Sequence, residues 1–223
     1  MMISLTRPLM AAPFFIRGVQ TQEKCVALTF DDGPNPVYTP KVLSILEHYH
    51  IPATFFLIGE HAAAHPTLCK EIQNAGHEIG NHSYKHIDYR YLSNQATLLD
   101  IAESQSIFYK ILGKFPLLFR PPYGNLKPQD SNLLSHYFLY AIKWNVDTKD
   151  WSPEASQTVT TDIKEGSIII FHDNNDTMLK ELPETIETFL NQGYQFITIS
   201  ELIPKGKSIP AHLVPLTKKP PQH

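Results

Sequence analysis

The sequence predicts an α/β domain built on a mostly parallel sheet, doubly wound or closed as a barrel, and three observations predict it. Short apolar runs alternate with amphipathic segments of helical spacing from Cys25 onward, as serial strand–helix–strand units do. Gly or Pro stands at most of the junctions between them, where the chain must turn. The polar residues capable of chemistry fall where strands end, which is the ligand face of parallel α/β architectures.

The elements follow in order. Cys25 to Phe30 (CVALTF) is a buried strand ending in the turn Asp31-Asp32-Gly33-Pro34, since a short apolar run bounded by turn residues reads that way. Thr39 to Tyr49 spaces Val42, Leu43, Ile45, Leu46 and Tyr49 on a helix, with Thr39 as N-cap and Pro40 in the first turn. Ala53 to Ile58 is a second strand, Pro66 to Ala75 a helix stopped by Gly76, and His77 to Gly80 opens a third strand, each with its expected breaker. Ser93 to Leu112 is a long helix ending at Gly113, and Leu117 to Arg120 a strand running into two prolines. A helix around Ser131 to Tyr137 precedes the strand Ala141 to Val146. Ser167 to Phe171, the helix Thr177 to Asn191 and the strand Phe196 to Ile199 complete the series.

Bulk properties bound the rest. A chain of 223 residues fits one domain with a substantial core, here 24–203. With 42% hydrophobic and 11% aromatic residues the composition is globular. A formal net charge of -3 without a Lys/Arg run excludes a nucleic-acid-binding surface, and no run approaches the roughly 20 apolar residues of a membrane span. Residues 1–23 read as a leading segment packed on the domain. Its apolar stretch Met10 to Ile16 is short, preceded by Pro8 and interrupted by Pro13, and lacks a small-x-small cleavage site, unlike a secretory signal. The expectation is therefore a cytoplasmic protein, with action in the periplasm or cell envelope as the alternative. Cys25 and Cys69 read as buried free thiols, and 204–223 as a Pro-rich tail. Oligomeric state is not legible.

Five strand ends deliver ionisable or aromatic groups: Asp31 and Asp32; His82 and His86; Arg120, Pro122 and Tyr123; Asp147, Asp150 and Trp151; and His172 with Asp173. Taken singly, each has an ordinary reading. Asp-Asp-Gly-Pro is a turn, two histidines among 11 are unremarkable, and His172 is as readily a core residue as a catalytic one. Taken together they supply a hydrolytic site. One carboxylate and two imidazoles, the latter four residues apart as on a helical turn, can hold Zn²⁺ or a similar divalent ion with a position left open. The second carboxylate can serve as general base, His172 as general acid, Arg120 can hold the base, and Asp150 can orient His172.

The ordered stretches Thr29-Phe-Asp31-Asp32-Gly33, His82-Ser-Tyr-Lys-His86, Arg120-Pro-Pro122-Tyr123, Asp147-Thr-Lys-Asp150-Trp151 and Ile170-Phe-His172 resemble the five motifs of the polysaccharide deacetylases, carbohydrate esterase family 4 with the NodB homology domain. The resemblance runs from about Lys24 to Leu202. It implies a distorted (β/α) barrel of about seven parallel strands, fewer units than the usual eight. It further implies Asp31 as base, Asp32, His82 and His86 as metal ligands, Arg120 as holder of Asp31, and His172 as acid tuned by Asp150. The Tyr123 backbone N–H would stabilise the oxyanion beside Pro122, and Trp151 and Ile170 would shape the acetyl pocket. Ile170 stands where the family has Leu. The implied activity is metal-dependent removal of N-acetyl groups from an N-acetylhexosamine polymer such as peptidoglycan or a chitin-like chain. The implied metal is Zn²⁺, with Co²⁺ or Ni²⁺ as alternatives. Three other readings stay open at this stage: hydrolysis of formyl groups or small cyclic amides, esterase action on O-acetylated xylan, and a non-catalytic carbohydrate-binding barrel.

Overall fold

The fold is that of a computed structural model, which describes residues 15–127, 134, 137, 140–152 and 163–211. Strands β1 (Phe15–Gln20) and β2 (Cys25–Asp31) lead into helix α1 (Thr39–Tyr49), then β3 (Thr54–Leu57) and the helices α2 (Gly59–Ala64) and α3 (Pro66–Asn74). Strand β4 (Glu78–Asn81), the long helix α4 (Asn94–Leu112) and β5 (Leu118–Phe119) follow. Strands β6 (Tyr140–Ile142), β7 (Val146–Asp147) and β8 (Ile168–His172) precede helix α5 (Asp176–Asn191), and β9 (Gln195–Phe196), α6 (Ile199–Leu202) and β10 (Lys207–Ala211) end the described chain. Among the described residues no helix is long and apolar enough to cross a membrane.

The strands form one 10-stranded sheet in the order β10-β1-β6-β5-β4-β3-β2-β8-β7, with β9 paired to β2. Every pairing from β1 to β7 along this path is parallel, and β10 alone runs antiparallel, against β1. Although β1 and β8 are far apart in that order, Gly18 bridges Ser167 and the Val19 N–H donates to the Gly166 carbonyl at 2.9 Å. The sheet therefore curls back on itself, giving the distorted α/β barrel expected.

Apolar burial fixes this shape. All of β2 and β3 is buried, as expected of strands covered on both faces. Phe30 of β2 stacks on Phe55 of β3 at 5.0 Å and on Phe171 of β8 at 6.0 Å, so adjacent strands share one aromatic layer. On the opposite face the Phe56 ring packs on Gly80 of β4, whose added Cβ would sit 2.5 Å from the ring. Only glycine leaves room for that approach.

Several elements differ from the sequence reading. Helix α1 begins where expected, but its N-cap is Tyr38. The Thr39 hydroxyl is instead turned inward, accepting from the Asn35 N–H at 2.8 Å and donating to Asp173 at 2.5 Å. The strand read as Ala141 to Val146 is two strands, because across Lys143–Asn145 the chain changes partners from β1, where the Lys143 N–H donates to the Ile16 carbonyl, to β8, where the Asn145 N–H donates to the Ile168 carbonyl. The strand read as Phe196 to Ile199 stops at Phe196, and Thr198 caps α6 with a reciprocal Glu201 capping box. Within the leading segment, Phe15–Gln20 is a strand of the sheet, and within the tail, Lys207–Ala211 is its partner. The helix expected around Ser131 to Tyr137 lies almost wholly outside the described residues.

Candidate active site

Parallel strands end on one face, and that face gathers the residues singled out above. Asp31 closes β2 and His172 closes β8, and the two are register partners across the β2–β8 ladder. The base and acid candidates thus arrive side by side without any help from loops. Ile170, buried at 1% exposure, precedes His172 by two residues and so shares its face of the strand.

Asp31 is almost fully buried and is held by Arg120, which follows β5. One guanidinium nitrogen, Nη1, donates to Asp31 Oδ1 at 2.6 Å and to Thr29 Oγ1 at 3.0 Å; Nη2 donates to the Lys143 carbonyl at 3.3 Å. The guanidinium lies 4.0 Å from the Phe56 ring centroid, so a fully buried cation is compensated by one carboxylate, one hydroxyl, one carbonyl and an aromatic face. Burial lowers the Arg120 pKa, opposed by Asp31, yet arginine stays charged.

Asp32, His82 and His86 each offer a ligand atom, all within 4.8 Å of one another. Asp32 Oδ1 stands 3.6 Å from His82 Nε2 and 3.3 Å from His86 Nε2. Ligands about 2.0–2.1 Å from a tetrahedral Zn²⁺ are separated by about 3.3 Å, so the spacing fits such an ion. Two further observations agree. Asp32 Oδ1 is buried and accepts no hydrogen bond, a costly condition that a cation removes. His82 Nδ1–H donates to the Arg120 carbonyl at 2.6 Å, which leaves the Nε2 lone pair facing the cluster. Burial first, and the neighbouring His82 second, bring the His86 pKa down to about 4, so its imidazole is neutral and able to ligate. The two histidines do not share a helical turn as the spacing implied. They lie in a loop with Ser83 and His86 at positive φ (73° and 55°), their rings 4.9 Å apart.

His172 Nδ1–H donates to Asp150 Oδ1 at 2.8 Å, and the other carboxylate oxygen accepts the His172 N–H at 2.7 Å. Burial opposes the imidazolium, but the Asp150 hydrogen bond and the charges of Asp31, Asp150 and Asp32 outweigh it and raise the pKa to about 9. Tyr123 sits at φ 57°, its ring 4.7 Å from that of His86. Pro122 is buried at the start of that turn, whereas Trp151, next to Asp150, is 65% exposed. A cleft of about 820 Å³ between α1 and α3, lined in part by Glu47, His50 and His77, lies at the opposite ends of the strands and takes no part.

Several residues that hold this arrangement carry no motif of their own. Asn174 donates to Asp32 Oδ2 at 3.0 Å, turning Oδ1 toward the histidines, and His61 Nδ1–H donates to the Asp32 carbonyl at 2.8 Å. Asn175 caps α5 and also reaches Asp150 at 3.3 Å. Asp173, fully buried, presses its carboxylate against Gly33, where an added Cβ would lie 2.5 Å from it.

The sequence profile described as polysaccharide deacetylase matches residues 18–140. A peptidoglycan-N-acetylglucosamine deacetylase of Bacillus cereus is 37% identical over 198 residues, 83% of this chain and 91% of that one. A chitooligosaccharide deacetylase of Azorhizobium caulinodans is 33% identical over 70% of this chain and 76% of its own length. A peptidoglycan-N-acetylglucosamine deacetylase of Listeria monocytogenes is 36% identical over 80% of this chain, which spans 39% of that longer protein. Among solved structures, a carbohydrate esterase family 4 pseudoenzyme from Bacillus anthracis superposes with a TM-score of 0.81 at 27% identity, covering 88% of this chain and 71% of that one. The chain belongs to the polysaccharide deacetylase family. Because that family includes a pseudoenzyme, likeness of fold does not decide activity, and the side chains at the strand ends must.

Proposed function

We propose that the chain is a metal-dependent deacetylase that removes N-acetyl groups from the N-acetylhexosamine units of a polysaccharide, with peptidoglycan the first candidate and chitin-like oligomers the second. One observation carries this reading: the Arg120-held Asp31 and the Asp150-held His172 flank the Asp32–His82–His86 cluster from adjacent strands. Relatives named for both substrates support it.

Asp32, His82 and His86 would hold the ion, with Zn²⁺ favoured by the nitrogen–oxygen donor set and spacing and Co²⁺ or Ni²⁺ compatible. When bound, it supplies a Lewis acid that polarises the amide carbonyl and acidifies water. The protein's own groups then do the proton work. Asp31, ionised and fixed by Arg120, takes a proton from the attacking water. His172 enters the step as imidazolium, its Nδ1–H committed to Asp150, so Nε2–H is the proton delivered to the departing amine. The Tyr123 backbone N–H, in a left-handed turn beside His86, would donate to the developing oxyanion. Ile170 closes the inner wall against the acetyl methyl, and the exposed Trp151 and buried Pro122 border the opening.

The test is acetate release from peptidoglycan and from N-acetylglucosamine oligomers, with chelator and with added Zn²⁺. Chelator-sensitive, Zn²⁺-restored release from either polymer is expected, and its absence from both would overturn the reading.

A further inference from the structure

We propose that Asp100, on α4, is a positioning residue for His86 and through it for cation binding. The inference rests on the reading of Asp32, His82 and His86 as the metal-holding group, and concerns how one of the three is kept in place.

The two histidines are secured differently. The His82 ring is oriented directly, through Nδ1–H to the Arg120 carbonyl. Among the described residues the His86 ring has no such hydrogen bond on Nδ1; it meets Asp32 through Nε2 and lies tilted against the rings of His82 and Tyr123. Its placement therefore depends on its backbone, which holds φ at 55° three residues after Ser83 at 73°. Non-glycine residues in that region persist when surrounding contacts over-determine them. The Ser83 and Tyr84 carbonyls accept from the Gly59 and Glu60 N–H groups at 2.8 and 3.0 Å, and the His86 N–H donates to Ser83 Oγ at 2.9 Å. The two intervening amides are both taken by Asp100: the Tyr84 N–H by Oδ2 at 2.8 Å and the Lys85 N–H by Oδ1 at 3.2 Å. Tyr89, on the far side of His86, adds its hydroxyl to the same Oδ2 at 2.6 Å.

Asp100 thus grips the loop on both sides of His86, while Ser104 of the same helix steadies Asn81 and, through it, the Ser83 N–H nearer His82. Asp100 is buried, and aspartate is a poor helix-interior residue, so its presence there calls for a use outside the helix. Three donors from the 84–89 loop are that use. A carboxylate bound by two successive backbone N–H groups and a hydroxyl is a rigid anchor.

Zn²⁺ dissociation constants, measured by chelator competition on the purified full chain, test this in Asp100→Ala, Asp100→Asn, His86→Ala and the double variant Asp100→Ala/His86→Ala. Thermal unfolding of the zinc-free forms accompanies them. Asp100→Ala is expected to weaken Zn²⁺ binding by about 10–100-fold, the range for groups that orient ligands, and to add less than about 3-fold once His86 is already alanine, because both changes act through one ligand. Should Asp100→Ala not fold, Asp100→Asn, which keeps the shape but sets an amide donor against a backbone donor, is put through the same pair of backgrounds. Wild-type zinc affinity in the Asp100 variants, with His86→Ala impaired, would overturn the inference and leave the metal reading standing. So would a loss of affinity undiminished when His86 is absent, which marks a merely structural role. Wild-type affinity in His86→Ala would overturn the ligand assignment and this inference together.

Discussion

At the residue scale, two carboxylates next to each other in the chain do different work because their surroundings differ. Asp31 has a guanidinium on one oxygen, and Asp32 has an amide on one oxygen and, among the described residues, no hydrogen bond on the other, which faces two imidazole nitrogens. Asp31→Asn should therefore keep its bound metal while kcat for acetate release falls about 10²–10⁴-fold, the span of a lost general base; metal content and turnover measured on one preparation check both halves. His172 follows a signed expectation. Its pKa is raised to about 9, so it is protonated through neutral pH and the proton is lost as pH rises through that value. Asp150→Asn removes the charge that holds the imidazolium and turns one of the two acceptor oxygens into a donor, so burial meets less opposition. An NMR titration of the zinc-free protein should show His172 titrating at lower pH in the variant; an unchanged midpoint would take Asp150 out of that role. The residues proposed to meet the substrate were legible in the sequence because they follow apolar runs and fall in motif order. His61, Asn174 and Asp100 were not. Each reaches the site from another element, and a single Asn, Asp or His carries no periodic signal.

At the scale of elements, strands and helices were legible wherever burial imposed a period and a breaker ended it. Helix α4 ends on the left-handed Gly113 and begins on Ser93, whose hydroxyl accepts from Ala96, both as read. The misses have physical causes. In β1 a register shift between Ile16 and Gly18 breaks the alternation, so its residues show no period of two. In β10, Lys207 and Pro210 mark an edge strand, and edges are protected by charge and proline, the same features that make a segment look like a tail. The strand pair β2–β8 is the element on which the site depends, and its aromatic layer is the place to test it. Phe30→Ala should cost about 3–5 kcal/mol of unfolding free energy, read in urea denaturation. A loss below about 1 kcal/mol would mean the Phe55–Phe30–Phe171 stack does not hold the strands together.

At the scale of the whole molecule, the barrel brings together the proposed metal ligands from two parts of the chain, Asp32 after β2 and the His82–His86 loop after β4. An unfolded chain cannot hold them at these distances, so metal binding is linked to folding. Zn²⁺ at 100 times its dissociation constant should stabilise the fold by about 2.7 kcal/mol, seen as a rise in Tm of about 2–4 °C per kcal/mol for a domain of this size. A Tm indifferent to zinc would count against the cluster as a binding site. The curled sheet itself was legible as a parallel α/β arrangement, but its near-closure through Gly18 and Ser167 was not, because a single bridge between distant segments leaves no pattern in either.

The antiparallel ribbon of β1 and β10 has a mechanical meaning. Phe15 and Ala211 are register partners at its open end, so chain arriving at one and leaving from the other does so at a single spot. A pull between those two points peels the ribbon one hydrogen bond at a time, as a zipper opens, and does not load its whole length in shear. The ribbon should act as a fuse, parting at low force: β1 meets the β8 segment at Ser167, the end away from His172, so Asp31 and His172 stay side by side.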